Sequence, residues 1–457
     1  MHTKGSSCAL LADAARRSAD YLEGLDRQPI FPRDADIERL RAALGGGLPR
    51  DSAPDAEILQ FLDEYGSPAT VASAGGRYFG FVTGGALPAS VAAHFLATAW
   101  DQNAFSFTSS PAAALFDETA IRWLRELFGL PADSAGSFVV GASAANFAGL
   151  AAARHAVLAR AGWNVEEQGL RGAPEVTVMI GAEAHATINK LVPLLGIGRA
   201  HLVRVPVDGQ GRMRADRLPA IRGPTILVIQ AGNVNSGAFD PAQELVPQAH
   251  AGGAWVHVDG AFGLWAAASE RRRHLMNGFA GADSWATDAH KWLNVPYDCG
   301  ISFVRDADAL RAAMSISADY LPLGQHRDAI DITIDGSRRA RSFDVWAALR
   351  SLGRRGLAEM IDRNCDQAAW LAEELSAAGV EVLNEVGLNQ VVVAFGSDEQ
   401  TLRVILELQE ARTCWCGGTR WHGRQAMRIS VSSWATTQVD MTITRNAILA
   451  AAGASHA

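Results

Sequence analysis

Residues 254–263 read AWVHVDGAFG and residues 284–299 read SWATDAHKWLNVPYDC. Each opens on a short apolar run, Trp255 to Val258 in one and Ser284 to Ala286 in the other. Each turns polar where the run stops, at Asp259 and at His290 and Lys291. An uninterrupted apolar run of this length, in place of strict alternation, marks a strand buried on both faces, as in a mostly parallel sheet covered by helices. Five further runs repeat the pattern: Phe138 to Val140, Val176 to Ile180, Leu202 to Val207, Thr225 to Ile229 and Gly300 to Val304. Helical stretches such as Phe147 to Arg160 and Pro241 to Ala251 lie between them, so the chain reads as α/β with a mostly parallel central sheet. Just upstream, Ser110 as a cap, Pro111 at the first helical position and Gly129 with Pro131 as the stop predict one more helix.

Outward from this core the texture changes. After about residue 335 a long helical stretch (Val345 to Ala377) is followed by a run at Val391 to Phe395, a helix near Leu402 to Gln409 and a run at Arg428 to Val431, which suggests a smaller α+β unit. The first 75 or so residues hold short helices broken by Gly45-Gly46-Gly47, Pro49 and Pro54, too poor in apolar periodicity for a core of their own. They are expected to pack on something else.

At 457 residues, 48% hydrophobic and 20% charged, the chain has the balance of a folded protein of two or three compact units. Its net charge of -8 supplies no basic field for nucleic acid. No run approaches the 18 or so apolar residues of a membrane span, and the N-terminus lacks a secretory pattern. Five thinly spread cysteines read as reduced thiols, so a cytoplasmic location is expected. Cys414-Trp415-Cys416 has no second pair to complete a zinc site, and no metal is expected.

In an open parallel sheet a ligand lies beyond the carboxyl ends of the strands. Ser143, His185, Asn233, Asp259 and Lys291 each follow one of the apolar runs. Only Lys4, Lys190 and Lys291 are lysines among 41 basic residues, so where a point charge suffices this chain uses arginine. A retained lysine is a candidate for what arginine cannot do, which is to lose a proton and form an imine. Lys190, in HATINKLVPLL, reads as a solvated helix residue, whereas Lys291 has an apolar setting. Asp259 alone reads first as the cap of a strand-to-helix turn. With an amine 32 positions later, one ring can serve both: the carboxylate holds a proton on a pyridine nitrogen and the lysine holds the aldehyde carbon. The small residues from Gly141 to Asn146, with the Ser143 hydroxyl, suit a phosphate at a helix start, although such turns also serve simple close packing.

HVDGAFG around Asp259 and DAHKW around Lys291, with GASAAN at 141–146, AEAHATINK at 182–190 and GNVNSGAFDP at 232–241, resemble the group II pyridoxal-phosphate-dependent amino acid decarboxylases. That is the family of aromatic-L-amino-acid and glutamate decarboxylases, and the resemblance runs from about Tyr78 to Trp434. It implies the aspartate-aminotransferase-like fold called fold type I, pyridoxal 5'-phosphate as cofactor, and a homodimer with active sites at the subunit interface. It also implies a division into residues 1–80 packing on the partner subunit, a large cofactor-binding domain over 81–335 and a small domain over 336–457. By the resemblance Lys291 is the Schiff-base lysine, Asp259 the partner of the pyridine nitrogen, His185 the histidine stacked on the ring and Ala261 the small residue on its other face. Ala142, Ser143, Asn233, Asp288 and His290 match positions that contact the cofactor, mostly its phosphate.

The activity so implied is removal of the α-carboxylate of an L-amino acid, giving the amine and carbon dioxide. The aromatic residues Tyr78, Phe79, Phe81, Trp100, Phe105 and Phe107 tilt the expected substrate toward an aromatic side chain. One departure stands out. The stretch from Pro322 to Arg341, which corresponds to the family's mobile loop, has no tyrosine to return a proton to the α-carbon, the nearest being Tyr320. An oxidative or abortive side reaction beside amine formation is then expected unless His326 or His185 serves as the acid, and Ile332 is a loop position where a phenol could be placed. The alternatives are reaction with dioxygen to an aldehyde, transamination on the same fold, or a cofactor-binding regulatory or scaffold protein without turnover.

Overall fold

The computed structural model describes residues 4–315 and 328–453. Seven strands, β1 (Ala135–Val139), β2 (Thr177–Gly181), β3 (Leu202–Val205), β4 (Thr225–Gln230), β5 (Trp255–Asp259), β6 (Ser284–Asp288) and β7 (Gly300–Val304), form one sheet in the order β1-β7-β6-β5-β4-β2-β3. Every residue of β4, β5, β6 and β7 is buried, as continuous apolar runs require when helices cover both faces. The pairings from β3 through β6 are parallel, and β7 alone runs against both β6 and β1. The reason is the connection. Only residues 289–299 join β6 to β7, too few for a helical crossover back to the starting edge.

A second, antiparallel sheet of four strands, β8 (Glu381–Val382), β9 (Gln390–Ala394), β10 (Gly417–Trp421) and β11 (Arg424–Ser430), has the order β10-β11-β9-β8. The helix Ser342–Ala377, interrupted where Gly353 takes φ 62°, packs on β8 and β9 and on the helices Pro88–Trp100 and Pro111–Phe128. Trp292 is fully buried and donates its indole N–H to Asn364 Oδ1 of that helix at 3.0 Å, which anchors the segment after β6. The expected helix after Ser110 spans Pro111–Phe128, with the Ser110 hydroxyl accepting the Ala113 N–H. The N-terminal helices Lys4–Gly24, Asp34–Ala43 and Asp55–Phe61 lie at the periphery, and neither of the last two buries a residue. Among the described residues no helix is long and apolar enough to cross a membrane.

One close approach holds a helix against the large sheet. The helix Ala142–Arg160 crosses the sheet with Gly149 against His257 of β5, where a Cβ would come within 2.6 Å of the imidazole. His257 is fully buried, with Nδ1 2.8 Å from Ser284 Oγ and Nε2 2.8 Å from Asn146 Oδ1. The first turns of the helix are thereby tied to the middle of β5.

Candidate active site

A cavity of about 470 Å³ opens at the carboxyl ends of β1, β4, β5 and β6. Lys291 reaches it from the single-turn helix Ala289–Trp292 that follows β6. The backbone there is tightly held: a Cβ on Gly84 would fall 1.8 Å from Lys291 O. Lys291 Nζ lies 3.0 Å from Asp288 Oδ2, and Asp288 Oδ1 accepts the Ala142 N–H at 2.5 Å. His290 accepts the Cys299 N–H on Nδ1, which leaves Nε2 3.5 Å from Asp288 Oδ1, and its ring packs on Tyr297 with centroids 4.4 Å apart. Burial pulls the His290 pKa down, with Asp288 opposing.

Asp259 ends β5 in the cavity wall. It is 6% exposed, yet its carboxylate makes no hydrogen bond or ion pair with any described residue. An unpaired buried carboxylate is costly, so this one calls for a cation from outside the chain. Beside it in register is Gln230 of β4, whose Nε2 is also buried in the wall without a partner among the described residues.

His185 caps the helix Ala186–Leu194, its Nδ1 accepting the Thr187 N–H at 3.3 Å and lying 2.8 Å from Thr187 Oγ1. Burial lowers its pKa, Lys291 and Arg428 push the same way, and Asp259 and Asp288 oppose them. The imidazole is therefore biased toward its neutral form. Ala142, Ser143 and Ala261 also line the cavity. In the first turn of Ala142–Arg160 the N–H groups of Ala144 and Ala145 bond to Gly141 O, and that of Ala142 serves Asp288.

Asn233 is the one expected contact that stands outside the cavity lining. Its Oδ1 accepts the N–H groups of Asn235 and Ser236, and its Nδ2 donates to Glu183 O at 3.3 Å. It braces the loop after β4 against the loop that carries His185. Lys190 is exposed on its helix, as its sequence setting suggests. Of the aromatic residues that tilt the substrate reading, Phe81 lines the cavity. Phe79 is buried in the core of the small sheet and Tyr78 stacks on Trp415. Tyr320 and His326 lie outside the described residues. Ile332 is 2% exposed and packs in the core, so it is no loop tip on which a phenol could be carried.

Arg428 has no counterpart in the sequence reading. It comes from β11 of the second sheet and lines the cavity, and among the described residues its guanidinium has a single partner, Val234 O at 3.1 Å from Nη1. Burial lowers its pKa, and no carboxylate of the described residues pairs with it. Where Asp259 awaits a cation, Arg428 awaits an anion.

The chain's donor set fits pyridoxal phosphate: an amine, an unpaired acid, an orphaned amide donor and a helix start surround one cavity. The family model for the pyridoxal-dependent decarboxylase conserved domain matches residues 72–396. The chain belongs to the pyridoxal-dependent decarboxylases. Pyridoxal phosphate is accordingly its cofactor. This decarboxylase chain is 30% identical over 314 residues to the acidic amino acid decarboxylase of Bos taurus, a match spanning 65% of this chain and 59% of that protein's length. It is 26% identical over 373 residues to the aromatic-L-amino-acid decarboxylase of Bacillus atrophaeus, covering 78% and 74%. The crystal structure of Oryza sativa TDC with PLP and tryptamine superposes with a TM-score of 0.90 at 23% identity, over 99% of this chain and 98% of that one. The fold expected of the sequence, a mostly parallel sheet with a smaller α+β part, is the one found.

Proposed function

We propose that this decarboxylase removes the α-carboxylate of an L-amino acid with an apolar or aromatic side chain, giving the amine and carbon dioxide. The observation that carries it is the pair of unmet charges lining one cavity, the Asp259 carboxylate and the Arg428 guanidinium, in a wall that Lys291 also lines. Bound pyridoxal phosphate supplies an electron-withdrawing ring that accepts the bonding pair released at the α-carbon. Lys291 would hold its aldehyde carbon, Asp259 would keep a proton on the ring nitrogen, and Ser143 with the start of Ala142–Arg160 would take the phosphate. Ala261 and neutral His185 would pack on the ring's faces. Arg428, lacking an acid of its own, would receive the substrate's carboxylate. Phe81, Val82 and Val140 give an apolar surface for the side chain.

The same reading makes the enzyme a cytoplasmic homodimer, with residues 1–80 against the partner, 81–335 as the cofactor domain and 336–457 as the small one. Two features support the dimer: the N-terminal helices bury little, and Phe95, Leu96 and Trp100 are all exposed along Pro88–Trp100. Free, mostly buried thiols suit a reducing compartment. A screen of the common amino acids measuring amine, aldehyde, hydrogen peroxide and keto acid together tests the activity. Amine and carbon dioxide in equal amounts from an apolar or aromatic substrate are expected, and aldehyde with peroxide would refute the assignment. Light scattering should give twice the chain mass.

A further inference from the structure

Asp288 has its charge committed before any ligand arrives. Its side chain is 4% exposed, Oδ2 lies 3.0 Å from Lys291 Nζ, and Oδ1 takes the Ala142 N–H at 2.5 Å. The resemblance groups Asp288 with the phosphate contacts, but a carboxylate there cannot donate to a phosphate, and it removes one N–H from the cradle. A buried carboxylate persists where it is paired, and its pair here is the lysine. Asp259, one strand away on β5, has no such pair. The other charged groups around the two are His185, His290 and Arg428, with Asp298 behind His290. Among the described residues only Asp288 lies within ion-pair distance of Lys291.

We propose that Asp288 is the counter-ion of the Lys291 nitrogen, a positioning residue that holds the amine at the cavity wall and keeps that nitrogen positively charged once it is joined to the cofactor. This rests on the reading of Lys291 as the cofactor's attachment point. The site then contains two carboxylates with separate tasks, Asp259 at the ring and Asp288 at the linkage.

The test is the visible absorbance of the holoenzyme titrated with pH, in wild type, Asp288→Asn and Asp288→Glu. Asparagine keeps an oxygen for the Ala142 N–H, so the loop retains its tie. An opposite charge within about 4–6 Å shifts a pKa by roughly 1–3 units. The midpoint of the linkage should therefore fall by about one unit or more in Asp288→Asn and recover at least partly in Asp288→Glu. An unshifted midpoint in Asp288→Asn, or equal shifts in both variants, overturns the proposal. If neither variant folds, the wild-type titration decides: a midpoint well above neutrality is expected, and one at or below it is contrary. Borohydride labelling of the same samples separates the two layers. A labelled Lys291 with an unshifted band removes only the role of Asp288, whereas no band and no label removes the attachment point and this role with it.

Discussion

Replacing Arg428 with glutamine separates a ligand-binding charge from a structural one. Among the described residues the guanidinium has one neutral acceptor, Val234 O at 3.1 Å, and burial works against its charge. Glutamine keeps an N–H donor for that carbonyl and removes the charge, so the fold loses little: at most one ordinary hydrogen bond, about 0.5–1.5 kcal/mol, offset by relief of the desolvated cation. The substrate loses more. A charge-assisted hydrogen bond to a carboxylate contributes about 1.5–3 kcal/mol, or roughly 10- to 150-fold in kcat/KM. Steady-state kinetics on the best substrate, with a thermal melt of each holoenzyme, checks both halves. Binding of the product amine, which has no carboxylate, should be nearly unchanged. If kcat/KM stays within about threefold of wild type, or if amine binding and melting temperature fall in step with activity, Arg428 is a structural residue and the reasoning fails.

Asp259→Asn should retain cofactor yet lose turnover by orders of magnitude, because on the proposed reading the unpaired charge would hold a proton on the ring; near-normal turnover would reduce Asp259 to a turn residue. His257 is buried in β5 with its pKa lowered from 6.5 to about 3 by burial. Because the folded value is depressed, its contribution to stability is full above about pH 6.5 and is lost as pH falls toward 3. At about 1.4 kcal/mol per unit the ceiling is about 5 kcal/mol. Urea midpoints at several pH values should fall more steeply with acid in wild type than in His257→Gln, and parallel curves would contradict this. Asp240, raised to about 6 by burial, acts with the opposite sign and is common to both proteins.

The strands were legible because burial on both faces writes itself as an apolar run: Gly300 to Val304 matches β7 residue for residue, and the others agree within a few positions. The direction of β7 was not read, although the short stretch between Ala286 and Gly300 held the signal. The helix after β1 begins at Ala142, five residues before the first large apolar side chain at Phe147, since a run of alanine and serine has no periodicity to read. Lys291 stood out because lysine is rare here. Arg428 did not, because arginine is common; a charge inside the otherwise apolar Ala426-Met427-Arg428-Ile429 was the available clue. Asn233 stands outside the cavity lining, and its side chain is engaged by the turn that follows it.

The most direct test of the central claim is borohydride reduction of the purified holoenzyme followed by peptide mapping. The account predicts a yellow protein whose reduced pyridoxyl label is found on Lys291, and on neither Lys190 nor Lys4, with the label lost in Lys291→Ala. A label on another residue, or a protein that takes up no pyridoxal phosphate, would contradict it.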